Sequence, residues 1–192
     1  MDYNKLLSEK AKTIKPSGIR KYFDLANGLD DCIVLGVGEP DFKTPWSIRQ
    51  AGIKSLEKGS TWYTSNAGLV ELRTEICKYL KRRFNLDYEP MKETLVTVGG
   101  SEAIDACIRA IIDPGDEVLI PEPCYVSYAP ITELTGGVCV SLPLKPENNF
   151  RLTAKELKAA ITPKTKLLIL PFPCNPTGAV MHKEHLEEIA EV

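Results

Sequence analysis

Strand-like and helix-like segments alternate along the second half of this 192-residue chain, and this alternation restricts its fold more than any other feature. Four short apolar runs end at Val98, Ile120, Leu142 and Leu170, and a helical pattern follows each of them. Such alternation is typical of a mostly parallel sheet with helices on both faces. We therefore predict a three-layer α/β/α fold, in which ligands bind at the carboxyl ends of the strands.

The apolar spacing also predicts where the elements lie. It indicates helices at 3–13, 18–27, 46–58, 68–84, 101–112, 126–134, 153–161 and in the last ten residues, and strands at 33–35, 94–98, 117–120, 138–142 and 166–170. Thr44 is the predicted N-cap of the helix at 46–58, with Pro45 at its first position, and Thr153 with Glu156 predicts a capping box. A change in composition near residues 40–45 predicts an N-terminal arm, 1–44, followed by the main sheet domain, 45–192.

Charge and composition exclude several classes of protein. The net charge is −2, from 24 basic and 26 acidic residues without a block of like charge, so nothing indicates binding to nucleic acid or to a membrane surface. There is no apolar run of membrane-spanning length and no signal-peptide pattern at the start. The six cysteines occur without a CxxC pair and are predicted to be buried, reduced thiols. We therefore expect a soluble, cytoplasmic protein.

The first group of residues that could carry chemistry is Gly99-Gly100-Ser101, between a predicted strand and a predicted helix. Glycines let the backbone approach a ligand closely, and the free N–H groups of a helix N-terminus suit a phosphate dianion. Glu102 would repel that phosphate if its side chain pointed inward. The alternative interpretation is a tight turn in which Ser101 is only the N-cap.

Two further groups also follow predicted strands. Tyr125 could cover the face of a planar ligand, although Tyr125 and Tyr128 could equally pack beneath a helix. Asn175, in the sequence Asn-Pro-Thr-Gly, could bind the oxygen of a ring hydroxyl, or it could close the loop as an Asx turn. His182 and His185 lie three residues apart, but no acidic or thiol partner stands at metal-ligand spacing, so we interpret them as part of a solvated helix face.

Taken together, these segments resemble the class I/II aminotransferases, the pyridoxal-phosphate enzymes of the aspartate aminotransferase fold (fold type I). The resemblance rests on six segments in the family's order: residues 35–42, 63–73, 99–103, 114–118, 123–128 and 175–178. Each match alone is weak, whereas six in succession make a different fold improbable.

The resemblance implies a role for each candidate residue. Gly100 and Ser101 would hold the phosphate of pyridoxal 5'-phosphate, Tyr125 would lie over its pyridine ring, and Asn175 would bind the phenolic oxygen of that ring. Gly38 would offer its N–H group to the substrate carboxylate. Tyr63 would reach the phosphate in the neighbouring subunit, which implies a homodimer for the intact enzyme. Relatives often hold prolines such as Pro123 and Pro176 in cis.

The chain departs from the family pattern where the anchoring residues should stand. In relatives, the aspartate for the pyridine nitrogen, the Schiff-base lysine and two arginines come well after the Asn-Pro-x-Gly turn, and none can be placed here. Lys183 follows that turn too closely to be the lysine. We therefore expect an inactive N-terminal part whose missing half supplies the catalytic lysine. The strand segments ending at Val98, Ile120, Leu142 and Leu170 would then not all be neighbours, and exposed apolar strand edges would favour aggregation.

The leading hypothesis is thus the N-terminal part of an aminotransferase that moves an amino group between an amino acid and a 2-oxo acid. Two alternatives remain open at this point. One is a non-catalytic ligand-binding or assembly module on the same fold. The other is a different fold-type-I enzyme, such as a lyase, since such enzymes share these N-terminal motifs.

Overall fold

A computed structural model of the chain describes residues 5–15, 18, 22, 25, 29, 33, 38 and 40–192. The predicted helix at 18–27 and the predicted strand at 33–35 lie mostly outside the described residues, as does half of the glycine segment at 35–42. Contacts divide the chain into two units, one formed by Met1–Lys15 with Val98–Val192 and the other by Pro16–Thr97. This division is based on contacts within the chain, and the domain boundary near residue 44 stays a prediction.

The described helices and strands follow the predicted order. The helices are α1 (Glu9–Thr13), α2 (Trp46–Glu57), α3 (Val70–Phe84), α4 (Gly100–Ile111), α5 (Tyr128–Thr135), α6 (Ala154–Ala160) and α7 (Lys183–Ala190), with a 3-10 turn at Pro146–Asn148. The strands are β1 (Glu117–Glu122), β2 (Val138–Pro143) and β3 (Thr165–Leu168). The predicted capping box of α6 is confirmed, whereas α2 begins at Trp46 with Pro45 as its N-cap, so the predicted cap at Thr44 is wrong.

A three-stranded parallel sheet forms the centre of the unit that contains residues 98–192. The strand order is β2-β1-β3, and Leu119 of β1 pairs with Val140 on one side and with Leu168 on the other. Val118, Leu119 and Ile120 are fully buried, as expected for a central parallel strand that is covered on both faces. The predicted α/β fold is confirmed.

Side chains of β1 alternate between two hydrophobic cores, one on each face of the sheet. Leu119 packs with Leu157 of α6 and Ile189 of α7. Val118 and Ile120 point to the other face, where they pack with Ile108 of α4 and Ile131 of α5. This alternation follows from the two-residue period of a strand, and it produces the predicted three layers.

The predicted strand at 94–98 is wrong for the described part of the chain. None of the described strands pairs with this segment; instead, the Val96 N–H group donates to the carbonyl of Ala67 at 3.0 Å. The apolar pattern of residues 94–98 is real, but an extended segment becomes a strand only when a neighbouring strand satisfies its backbone. Of the four apolar segments, the last three pair directly in one sheet. That further strands would separate the four segments stays a prediction.

The second unit comprises residues 16–97. It contains α2 and α3, and α3 buries Arg73 and Cys77 on one face, where the Cys77 thiol contacts the Thr94 hydroxyl at 3.1 Å. The turn that enters α3 requires glycine at position 68, because its φ is +98° and a Cβ there would lie 2.7 Å from the Cβ of Val96.

The described cysteines, Cys77, Cys107, Cys124, Cys139 and Cys174, are all free thiols, while Cys32 lies outside the described residues. Cys77 and Cys174 are buried as predicted, but Cys107 is exposed on α4. Among the described helices, none is long and apolar enough to cross a membrane.

Candidate active site

A hollow of about 540 Å³ lies beside the carboxyl end of the sheet, at the N-terminus of α4. It is lined by Val98, Gly99, Gly100, Ser101, Ile104, Tyr125, Tyr128 and Asn175. Four of the six predicted site residues therefore meet here: Gly100, Ser101, Tyr125 and Asn175. Loops after β1 and β3 bring the last two to the helix end, as the geometry of a parallel sheet requires.

The N-terminus of α4 forms one wall of the hollow. Gly99 is the N-cap residue, and its φ of +91° is a conformation that glycine adopts without strain. No side chain caps the helix, so the interpretation of Ser101 as the N-cap is wrong. The Glu102 carboxylate accepts a hydrogen bond from the N–H group of Val98, so it is engaged with the backbone at the start of the turn. The first N–H groups of a helix have no partner within the helix, and they carry its positive dipole end.

Tyr125 forms the second wall, in the loop between β1 and α5. Its hydroxyl lies 2.8 Å from the Ser101 hydroxyl, and its ring meets the ring of Tyr128 edge-to-face, with centroids 5.7 Å apart. The Ser101 hydroxyl is the main cause that holds the pKa of Tyr125 below its ordinary value. Tyr128 is half-buried, and burial raises its pKa. Tyr125 therefore borders the hollow and packs on the ring of Tyr128, and its stacking on a planar ligand stays a prediction.

Asn175 sits in a loop that is closed by its own backbone. The N–H group of Gly178 donates to the carbonyl of Cys174 at 2.7 Å, and the N–H group of Cys174 donates to the carbonyl of Ala179 at 2.8 Å. The Cys174 thiol donates to the carbonyl of Pro123 at 3.4 Å, which ties this loop to the one that carries Tyr125. Within the described part of the chain, the Asn175 side chain makes no hydrogen bond, so the alternative Asx turn is wrong.

Three peptide bonds near the hollow are cis. The predicted cis bonds before Pro123 and Pro176 are confirmed, and the bond between Phe172 and Pro173 is also cis.

Sequence reasoning misses two lining residues, Val98 and Ile104, and it leaves Tyr128 open between packing and binding. Ile104 lies three residues after Ser101 on α4, so helical spacing places it on the same face. The apolar pattern predicts Val98 at the end of a strand, yet it is 93% exposed at the edge of the hollow.

The remaining candidates lie in the other unit or outside the hollow. Tyr63 is fully exposed, and Gly38 is exposed as well. Lys183 pairs with Glu187 at 3.5 Å on the solvent side of α7. His182 is the N-cap of α7, and its N–H group donates to Nδ1 of His185 at 3.1 Å. In the described residues, no group of His, Cys, Asp and Glu is arranged to hold a metal ion.

Cys124 lies next to Tyr125 but does not have the character of a nucleophile. Burial, together with the nearby Glu122 carboxylate, raises the pKa of its thiol to about 11. A thiol with such a pKa is protonated at neutral pH, and the thiolate is the reactive form of cysteine. The chemical capacity of the hollow therefore lies in its amide and hydroxyl donors and in its aromatic face.

Comparisons with known proteins agree with this geometry. Residues 30–192 match the family model for aminotransferase class I and II. The chain is 48% identical to the aspartate aminotransferase of Pyrococcus abyssi and 44% identical to aromatic-amino-acid aminotransferase 2 of Thermococcus litoralis; each alignment covers 96% of this chain and 48% of the relative. The crystal structure of Thermus thermophilus aspartate aminotransferase with maleate superposes with a TM-score of 0.89 at 39% identity, covering 96% of this chain and 49% of that one.

The chain spans about half the length of the curated relatives that it matches. The family model covers most of the chain, and the superposition extends over nearly all of it. The chain belongs to the class I and II aminotransferases.

Proposed function

We propose that this chain supplies the cofactor-binding part of a pyridoxal-phosphate-dependent aminotransferase, which moves an amino group between an amino acid and a 2-oxo acid. The observation that carries the proposal is the meeting of Gly100, Ser101, Tyr125 and Asn175 at one hollow. The family uses pyridoxal phosphate.

The phosphate end fits the N-terminus of α4. This helix has 12 residues and begins with Gly100, so its free N–H groups face the same hollow as the Ser101 hydroxyl. Backbone donors at such a helix end favour a dianion. The Glu102 carboxylate accepts a hydrogen bond from the N–H group of Val98, so its oxygen is directed at the start of the turn while its charge opposes the dianion.

The ring end fits Tyr125 and Asn175. Tyr125 offers a flat aromatic face, which suits offset stacking on a pyridine ring. The Asn175 amide has no hydrogen bond to any residue that the structure describes, so its N–H donors are available to the phenolic oxygen. When bound, the cofactor acts as an electron sink for charge that develops at the substrate α-carbon. The residues of this chain bind and orient it.

Substrate and partner assignments complete the proposal. Gly38 would donate its N–H group to the substrate carboxylate, and Tyr63, which is fully exposed here, would reach the phosphate bound in a second subunit of a homodimer. Relatives that act on aspartate and on aromatic amino acids are similar to this chain to nearly the same degree, so their names favour neither substrate class. Five free cysteines in the described residues agree with a reducing compartment such as the cytoplasm.

We also propose that the lysine that anchors the cofactor covalently lies outside these 192 residues. Lys183, the first lysine after the Asn175 loop, pairs with Glu187 at the solvent side of α7. Without the anchoring lysine, the chain would bind the cofactor only non-covalently, and it would have no transaminase activity by itself.

Two measurements test the proposal. The chain is mixed with pyridoxal phosphate and reduced with borohydride, and mass spectrometry should find no stoichiometric adduct on a single lysine. Asn175→Ala should weaken non-covalent binding of pyridoxamine phosphate about five-fold, the value of one ordinary hydrogen bond. Asn148→Ala, in the distant 3-10 turn, is the matched control. A stoichiometric lysine adduct would refute the missing anchor, and an unchanged affinity in Asn175→Ala would refute the role of Asn175.

A further inference from the structure

Two hydroxyl groups that both face the hollow bond to each other rather than to the surrounding backbone. Ser101 is the second residue of α4, and Tyr125 stands in the loop after β1, yet their hydroxyl oxygens lie 2.8 Å apart. Ser101 does not cap the helix, so its hydroxyl is not needed to complete α4. The contact therefore joins the phosphate end of the hollow to its aromatic wall.

The aromatic wall holds the Tyr125 hydroxyl in a defined direction. The ring of Tyr125 rests on the half-buried ring of Tyr128, with an angle of 82° between the two planes. Edge-to-face aromatic pairs favour one relative orientation. The Tyr128 ring supports the Tyr125 ring on one side, and the Tyr125 hydroxyl oxygen lies within hydrogen-bond distance of Ser101.

The direction of hydrogen bonding depends on what occupies the N-terminus of α4. Each hydroxyl can donate one proton and can also accept. A phosphate dianion accepts only, so Ser101 must donate its proton to the phosphate. The Ser101 oxygen can then still accept a hydrogen bond, and Tyr125 is the donor within reach. A chain of donors results, from Tyr125 to Ser101 to the phosphate, and such chains strengthen their members cooperatively.

We propose that the Tyr125 hydroxyl is a positioning group for the phosphate end of the ligand. It orients the Ser101 hydroxyl toward the helix N-terminus, and it thereby makes the hollow prefer phosphorylated over unphosphorylated pyridoxal-type ligands. This inference rests on the proposed function and extends it, since it assigns the hydroxyl of Tyr125 a role separate from that of its ring. No proton is transferred in this role; both hydroxyls keep their protons.

Affinity for two ligands that differ only in the phosphate tests the proposal. Binding of pyridoxamine phosphate and of pyridoxamine is measured by calorimetry for the 192-residue chain and for Tyr125→Phe, Ser101→Ala and the double variant. Tyr125→Phe keeps the aromatic ring. It should lower the affinity for pyridoxamine phosphate about five-fold and leave the affinity for pyridoxamine unchanged. The double variant should bind no more weakly than Ser101→Ala, because the hydroxyl acts through Ser101. Tyr79→Phe, on α3 in the other unit, is the matched control.

A second readout follows from the direction of the hydrogen bond. In the free protein the Ser101 hydroxyl, followed by that of Ser127, lowers the pKa of Tyr125. In the ligand-bound protein Tyr125 must donate to Ser101, and the phosphate adds negative charge nearby, so the pKa of Tyr125 should rise. The difference in ultraviolet absorbance titration between the unsubstituted chain and Tyr125→Phe, with and without pyridoxamine phosphate, measures this shift. The same difference between Ser101→Ala and the double variant gives the rise in pKa that the phosphate charge causes by itself, and an equal rise there would overturn the inference.

The outcomes separate the inference from the proposed function. If Tyr125→Phe lowers the affinity for both ligands equally, the hydroxyl does not contribute to binding of the phosphate. The inference is then overturned, while the proposed function stands. Additive losses in the double variant would overturn it in the same way. If the unsubstituted chain binds neither ligand, the assignment of this hollow as a cofactor site in this chain fails, and the inference fails with it.

Discussion

Arg73 is the residue whose environment is hardest to explain by stability alone. It lies on the buried face of α3 with 3% of its surface exposed, and its Nε has no hydrogen-bond partner among the described residues. A guanidinium group is strongly solvated in water, and burial without a partner costs free energy. The stability of this unit therefore does not account for an arginine at position 73.

We predict that Arg73→Met leaves the free energy of unfolding unchanged or raises it by up to about 2 kcal/mol, because it keeps much of the side-chain volume and removes a poorly compensated charge. Urea titration followed by tryptophan fluorescence measures this effect, since both tryptophans, Trp46 and Trp62, belong to the same unit as Arg73. Arg82→Met, exposed on the same helix, should change stability by less than about 0.5 kcal/mol. A loss of more than about 1 kcal/mol in Arg73→Met alone would show that the guanidinium stabilises the fold.

At the scale of elements, α6 is, among the described helices, the one whose start is most fully satisfied by side chains. The Thr153 hydroxyl accepts from the N–H group of Glu156 at 3.2 Å, and the Glu156 carboxylate accepts from the N–H group of Thr153 at 3.1 Å and from its hydroxyl at 2.6 Å. The Thr153 hydroxyl is the main cause that lowers the pKa of Glu156. This helix contributes Leu157 to one of the two cores of the sheet unit.

Thr153→Ala should destabilise the sheet unit by about 1 kcal/mol near neutral pH, the usual cost of losing an N-cap. Because the pKa of Glu156 is lower in the folded state, its contribution is present above the ordinary glutamate pKa of about 4.3 and is lost as the pH falls through the lowered value. The cost of Thr153→Ala should therefore shrink at about pH 3. Urea titration followed by circular dichroism at both pH values measures it.

Thr153→Ser retains the hydroxyl acceptor and serves as the control for this prediction. It should keep most of the stability at either pH. An equal cost of Thr153→Ala at both pH values would show that the ionised form of Glu156 contributes nothing to the cap.

On the scale of the whole molecule, the chain leaves large apolar side chains in contact with solvent. Val98, Phe42 and Ile33 are each more than 85% exposed, and Trp62 is 70% exposed. Side chains of this type are ordinarily found at protein interfaces or in cores when they occur in groups. Relatives of this chain are about twice as long, and we expect a further segment of such a protein to cover these side chains.

We therefore predict that the chain alone self-associates and binds a hydrophobic dye, because exposed apolar surface favours association. Light scattering coupled to size-exclusion chromatography, over a dilution series, measures the association. Co-expression with a polypeptide that supplies the rest of a class I/II aminotransferase should reduce both signals. A chain that stays monodisperse over the dilution series without such a partner would instead favour the alternative of a non-catalytic module.

Much of the site can be predicted from the order of residues, because its elements are local. Strand, glycine turn and helix follow one another near Gly100, and an aromatic residue and an amide follow two later strands, so the shared edge of a parallel sheet brings them together. The errors have one physical origin. Residues 94–98 form a strand only if another strand bonds to their backbone, and Ser101 caps the helix only if its hydroxyl bonds to the helix backbone. The order of residues does not reveal which of the possible hydrogen-bond partners is present.

The pattern of apolar residues along the chain was enough to establish the α/β class and the two-faced packing of β1, and Thr153 with Glu156 was enough to establish the capping box of α6, since these depend on neighbours a few residues apart. Only the folded arrangement decided that Ser101 turns to Tyr125, that Cys174 ties the Asn175 loop to Pro123, and that Arg73 is buried. Contacts of this kind join residues 24 to 51 positions apart, or depend on what covers a helix face, and they form only when packing brings the elements together.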